Sequence, residues 1–180
     1  MNRREKIGYS TVLISLFLMY VGWSGIVLDG EVSDIPTPNT PDRTYFSDEP
    51  LPEQVLAPFF VADLTLTWDR DDIYVVIVEE DEKKRCEATP PGLSDLERGS
   101  SCSSRDADII VIGSAGEGQD GIEWRVDSGI YHVGMGSAFA EFPEGTDLNV
   151  NYAVHLHASF IVYFLLSLIT VGGLAYSRVD

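Results

Sequence analysis

Two stretches of this chain show no polar face at all, and the region between them alternates. From Ile7 to Leu28 (IGYSTVLISLFLMYVGWSGIVL) 22 consecutive residues lack any Asp, Glu, Lys, Arg or His, and from Ala158 to Tyr176 (ASFIVYFLLSLITVGGLAY) 19 do. At ~1.5 Å of rise per residue, either run is long enough as a helix to cross a hydrocarbon layer of ~30 Å. The pattern thus predicts a transmembrane helix over 7–28 and a second over 158–176, with short tails at 1–6 and 177–180. Between them the period falls to two. Leu64, Leu66 and Trp68 alternate with Asp63, Thr65 and Thr67, Asp69 to Asp72 supply turn residues, and Ile73 to Val78 is apolar throughout, which predicts a hairpin.

Further strands are predicted at Asp108–Ile112, Ile122–Val126, Ile130–Val133, Ala138–Phe142 and Leu148–His157, separated by Gly-rich or Asp-Gly turns. In the last of these, Leu148, Val150, Tyr152, Val154 and Leu156 share one face and Asn149, Asn151, Ala153, His155 and His157 the other. It meets the second apolar run without a linker, so the strand is expected to reach the membrane surface. Seven short strands with no helix among them predict an all-β domain over 59–157, an antiparallel sandwich whose two sheets bury their inner faces against each other. Residues 29–58 hold six of the nine prolines and little apolar periodicity. They read as a proline-rich linker, which in polyproline II could span on the order of 90 Å at ~3.1 Å per residue.

Charge assigns sides. Arg3, Arg4 and Lys6 precede the first run, Asp29, Glu31 and Asp34 follow it, and Arg178 lies beyond the second. Short basic flanks stay in the cytoplasm, so both termini are expected inside and the central domain outside. Tyr9, Trp23, Tyr163 and Tyr176 stand near the run ends, where amphipathic rings suit the interface. A cleaved signal peptide is the rival reading; it would leave only the C-terminal anchor. Its apolar core is usually ~7 to 15 residues and ends in an A-x-A-like site, which this run does not match. Neither run carries an ionisable group of the kind that proton relays and voltage sensors need, which argues against a lone transporter or channel. Gly22, Ser24, Gly25, Gly172 and Gly173 would permit close helix contact.

The net charge is −17, and residues 29–157 hold 27 of the 29 acids but only 8 of the 12 bases. Such a field repels phosphate and excludes nucleic acid as a partner. It fits a basic partner, a cation, or a solvated surface in saline surroundings.

Cys86 and Cys102 are the only cysteines and fall in the segment expected outside the cytoplasm, so a disulfide is predicted. His155 and His157 share a strand face, and His132 lies on a strand that could neighbour theirs; the three could hold zinc or copper. Acidic clusters at Asp69, Asp71, Asp72 and at Glu79 to Glu82 could take calcium, though no EF-hand pattern is present and Lys83-Lys84-Arg85 can neutralise the second. Gly113-Ser114-Ala115-Gly116-Glu117-Gly118 resembles a phosphate loop, and DIIVIGSAG is similar to the glycine-rich turn of universal stress proteins. No amphipathic helix follows, however, and Glu117 and Asp120 would repel phosphate, so a loop between strands is expected. No serine sits in a G-x-S-x-G elbow, so no catalytic residue is assigned.

Asp127-Ser128-Gly129-Ile130-Tyr131-His132-Val133 resembles the D-x-G-x-Y-x-C stretch of immunoglobulin-like domains, with Val133 in the cysteine's place. The resemblance covers seven residues. It implies a sandwich topology in which the tyrosine hydrogen-bonds back to the chain. The expected role is interaction: an accessory or assembly subunit of a membrane complex, working with the lipid bilayer and with other subunits or further copies of itself, without a cofactor. A ligand or metal sensor using the histidines or acidic turns is the first alternative and a membrane-bound hydrolase the last.

Overall fold

The computed structural model describes residues 2–37, 43–54, 56–88, 102–105, 108–137 and 147–178. In chain order the elements are α1 (Arg3–Ser24), β1 (Ile26–Pro36), β2 (Thr44–Phe46), β3 (Phe60–Trp68), β4 (Ile73–Glu79), α2 (Glu80–Glu87), β5 (Val111–Gly113), β6 (Ile122–Val126), β7 (Tyr131–Ser137), β8 (Asp147–Ala158) and α3 (Phe160–Arg178). The strands form two antiparallel sheets of four, ordered β1-β8-β3-β6 and β2-β7-β4-β5. The chain divides into two compact units: residues 1–28, 56–63 and 154–180, and residues 29–55 and 64–153.

In the first unit α1 and α3 are both long and apolar enough to cross a membrane. α1 begins in a capping box, where Asn2 N donates to Glu5 Oε2 at 2.8 Å and Arg3 N to Asn2 Oδ1 at 2.8 Å. It stops at Gly25, whose φ of 68° suits glycine and ends the ladder. The face α1 turns to its neighbours is small: Gly8 against Gly173 and Ser177, Ser15 against Thr170, Gly22 against Ala158. These positions recur every seven residues, so they stay in line along the helix. Ser15 Oγ and Thr170 Oγ1 share a hydrogen bond of 2.7 Å at this seam. Larger side chains such as Leu13, Phe17, Tyr20, Phe164 and Leu168 point away from it and are exposed.

In the second unit β4 forms the core, with Ile73 to Val78 all buried. Apolar on both faces, it takes the interior of its sheet and pairs with β7 (Val76 opposite Gly134) and with β5 (Val76 opposite Ile112). Over Leu64 to Trp68, β3 buries every second residue, as its alternation predicts. Trp68 is the keystone: its Nε1 donates to the Ile73 carbonyl at 3.0 Å, and its ring lies where Gly113 and Gly118 leave no room for a Cβ.

Several expectations change. β3 and β4 are consecutive but belong to different sheets, so they are not a hairpin. The turn at 69–72 carries the chain from one sheet to the other, closed by the Trp68 to Ile73 bond. The stretch expected as a linker supplies β1 and β2, and β2 pairs with β7 through Tyr45 opposite Met135. Prolines stand at the end of β1 and in the segments after β2, where no ladder donor is lost. The apolar run 7–28 is helical only to Ser24, and Ile26 to Leu28 are strand. The acidic-basic stretch after β4 is the helix α2, amphipathic through buried Glu82 and Cys86. The strand expected over Asp108–Ile112 runs Val111–Gly113, and β7 extends to Ser137. The strand expected at Ala138–Phe142 lies outside the described residues.

Candidate functional site

The two cysteines are joined, Cys86 to Cys102, with Cα atoms 5.3 Å apart and both side chains buried. The bridge ties α2 to the segment that meets β2, where Thr44 N donates to the Cys102 carbonyl at 2.9 Å. Glu82 is buried beside it and accepts a fork from Arg85, whose Nε reaches Glu82 Oε2 at 2.7 Å and whose Nη2 reaches Oε1. Glu82 and the two sulfurs lie within 4.8 Å of one another, a spacing that would suit a metal. With the sulfurs bonded to each other there is no thiolate to ligate one, and Arg85 already neutralises the carboxylate.

The histidines do not share a pair of adjoining strands. β7, which carries His132, lies between β2 and β4, whereas β8 lies between β1 and β3. His132 is buried, and its Nδ1 donates to the Ser47 carbonyl at 3.0 Å, which also accepts from Lys83 Nζ at 2.7 Å. That is the bonding of a satisfied core imidazole. His155 and His157 do come together, with ring centroids 5.5 Å apart. His155 Nε2 donates to the Ser24 carbonyl at 3.3 Å, and His157 Nδ1 lies 3.6 Å from Asp63 Oδ2.

The acidic turn after β3 is largely consumed by its own neighbours. Asp72 holds Arg70 in a fork, Nε to Oδ1 at 2.8 Å and Nη2 to Oδ2 at 2.6 Å. The Arg70 hydrogen bonds hold the Asp72 carboxyl below its ordinary value, outweighing the opposing effect of burial. Asp69 accepts from Asn149 N at 3.0 Å and from Asn149 Nδ2 at 2.7 Å. In the glycine-rich loop, Glu117 Oε2 accepts from Ser114 N at 3.0 Å, so a carboxylate occupies an amide that a phosphate would need, and β6 follows in place of a helix. Tyr131 Oη lies 3.5 Å from the Ser128 carbonyl, and its ring meets Trp124 edge-on at 4.7 Å. Burial, aided by the Asp127 and Glu79 charges, raises the Tyr131 phenol above its ordinary value.

One surface feature has no counterpart in the sequence pattern. An open cleft of about 480 Å³ is lined by Asp29 and Glu31 of β1, Thr65 and Thr67 of β3, and Asn151 and Tyr152 of β8. Its residues come from three strands far apart in the chain. Only the order β1-β8-β3 brings them together, and no local motif announces it. Hydroxyls, an amide and two carboxylates are set among Gly30, Ala153 and the Tyr152 ring, a mixed lining whose polar groups could meet cationic or hydrogen-bonding partners.

No protein-family model and no curated protein matches the chain. Solved structures similar to it include that of tomato aspermy virus (12% identity, TM-score 0.40, covering 74% of this chain and 78% of that one). Another is PliG of Aeromonas hydrophila, a periplasmic inhibitor of g-type lysozyme (12% identity, TM-score 0.28, covering 74% and 86%). At these TM-scores neither likeness assigns a fold or an activity.

Proposed function

We propose that the chain is a membrane-anchored interaction module. α1 and α3 cross the bilayer with both termini in the cytoplasm, and the two sheets form an extracytoplasmic β-sandwich that serves as an accessory or assembly subunit. The observation that carries this reading is the pair of helices, 22 and 19 residues long, whose large apolar side chains are exposed on every side but their mutual seam. In water that surface would be strongly unfavourable; in lipid it is solvated. Arg3, Arg4, Lys6 and Arg178 favour the cytoplasm for both ends. The Asp127–Val133 likeness to immunoglobulin-like domains agrees with a sandwich topology. The buried Cys86–Cys102 bridge fits an oxidising compartment.

The test has two arms. Protease added to spheroplasts should digest the central domain and spare tags at both termini; an intact centre with digested tags sinks the topology. Native mass spectrometry from mild detergent should then show stoichiometric companions, and a lone monomer counts against the subunit role. A second reading, a metal sensor, rests on the His155–His157 contact. Metal content of the purified chain, compared with that of H155A/H157A, decides it.

A further inference from the structure

We infer that the outer edge of β1, over Asp29 to Ser33, is a docking strand for an extended basic segment of a partner protein, which joins the sheet by antiparallel or parallel strand addition and sets its cationic side chains against Asp29 and Glu31. The inference rests on the interaction-module reading and names its partner chemistry and its surface.

Among the described residues four strands stand at sheet edges: β1, β6, β2 and β5, of 11, 5, 3 and 3 residues. A row of unpaired backbone groups is a template for another strand, and proteins blunt such edges by shortness, Lys, Pro or bulges. β2 and β5 are blunted by length. β1 carries no Lys and reaches its first Pro only at its last residue, Pro36. Among the described residues its one strand neighbour is β8. Its irregularity comes late, at Asp34, where φ is 58° and the backbone N–H turns to Asn149 Oδ1 at 3.3 Å. The stretch before that point is regular strand with Asp29, Glu31, Val32 and Ser33 all exposed.

Charge selects the occupant. Several other acids near the strands of this unit are engaged locally: Asp72 pairs with Arg70, Glu82 with Arg85, and Asp69 accepts from the Asn149 amides. Asp29 and Glu31 form no ion pair and no side-chain hydrogen bond among the described residues. They flank Gly30, whose backbone lies under the Tyr152 ring, so by strand alternation both carboxylates project to the opposite face, over the cleft with Thr65, Thr67 and Asn151. A strand added alongside, with Lys or Arg at alternate positions, meets two unspent carboxylates and leaves its intervening residues beside Val32. A second copy fits poorly: antiparallel pairing about Gly30 sets Asp29 opposite Glu31, like charge against like. Strand addition of this kind draws affinity from main-chain bonds and specificity from alternate side chains.

The test uses the full chain in detergent micelles and a synthetic heptapeptide alternating lysine and valine. Fluorescence anisotropy should show saturable binding, and hydrogen exchange should show new protection at the Asp29–Ser33 amides. The same peptide N-methylated at alternate amides, and one with glutamate for lysine, should each bind at least ~10-fold more weakly, through lost main-chain bonds and reversed charge. The variant D29N/E31Q should lose up to ~10-fold, as two exposed ion pairs of modest strength allow, while E123Q on the β6 edge should change nothing. Equal binding by the N-methylated peptide, protection elsewhere than β1, an unaltered D29N/E31Q, or a β1-protected dimer without peptide would each overturn the inference. Those results leave the protease and co-purification tests of the module untouched, so the two can fail separately.

Discussion

At the scale of single residues, the bridge between Cys86 and Cys102 is the strongest local constraint. With a sequence separation of 16, closing that loop removes unfolded-state entropy worth ~3 kcal/mol. Reduction, or C86S/C102S, should therefore lower the thermal midpoint of the β-rich part by several degrees, and an unchanged midpoint would contradict it. The charge pairs predict a pH profile. Asp72 has its folded value lowered by Arg70, so its contribution is present above the ordinary carboxylate range and is lost as pH falls through the folded value. Tyr131 has its folded value raised by burial, so its contribution holds below the unfolded phenol value near 10.0 and is lost as pH rises beyond it. Stability of the wild type should fall at both extremes. R70A should flatten the acid limb at a cost of about 1 kcal/mol or less at neutral pH, and Y131F should flatten the alkaline limb. An acid limb identical in R70A and wild type would show that the Arg70–Asp72 fork contributes nothing.

Elements show which parts of the sequence speak for themselves. β6 is found where its alternation placed it, and the two apolar runs became helices, because a local pattern decides each. α2 was hidden because its eight residues are mostly charged and its buried face is only Glu82 and Cys86, one of which needs Arg85 to be buried at all. β1 was hidden because Asp29, Gly30, Glu31, Ser33 and Asp34 are poor strand formers; only pairing with β8 makes them a strand. For the histidines, His155 and His157 come together as their shared face predicts, while the expected pairing of their strand with that of His132 is not found. Adjacency of His132 to β8 depended on strand order, which alternation does not encode, and the chain put β7 and β8 in different sheets. The helix seam also makes an element-scale prediction. A Cβ at Gly8 would lie 2.6 Å from Ser177 Cβ and 2.7 Å from the Gly173 carbonyl. Gly8→Leu should accordingly force α1 and α3 apart, seen as weaker cross-linking between cysteines placed at Ser15 and Thr170, whose hydroxyls lie 2.7 Å apart. Ser15→Ala, which loses one hydrogen bond across the seam, should cost only about 0.6 kcal/mol under the proposed topology. If Gly8→Leu cross-links as efficiently as the parent, close packing at that seam is not what joins the helices.

For the whole molecule, the proposed topology is decided by very few charges. The sheets and their acids do not choose the side of the membrane, since Asp and Glu contribute little to orientation and long segments translocate largely regardless of charge. What remains is Arg3, Arg4 and Lys6 before α1 and Arg178 after α3. The first group should dominate, both because it is larger and because α1 is inserted first. Replacing Arg3, Arg4 and Lys6 with Gln should give a mixed population. Adding three Lys between Asp29 and Asp34 as well should invert α1, leaving the acidic region on the cytoplasmic side of the first span. Inversion would also place Cys86 and Cys102 in a reducing compartment, so their thiols should become alkylatable in intact cells, in step with the fraction inverted. A membrane-impermeant label on a cysteine at Ser33, read beside the alkylation of Cys86 and Cys102, checks both consequences at once. If neither changes when the flanking charges are moved, orientation is set by something other than those four bases.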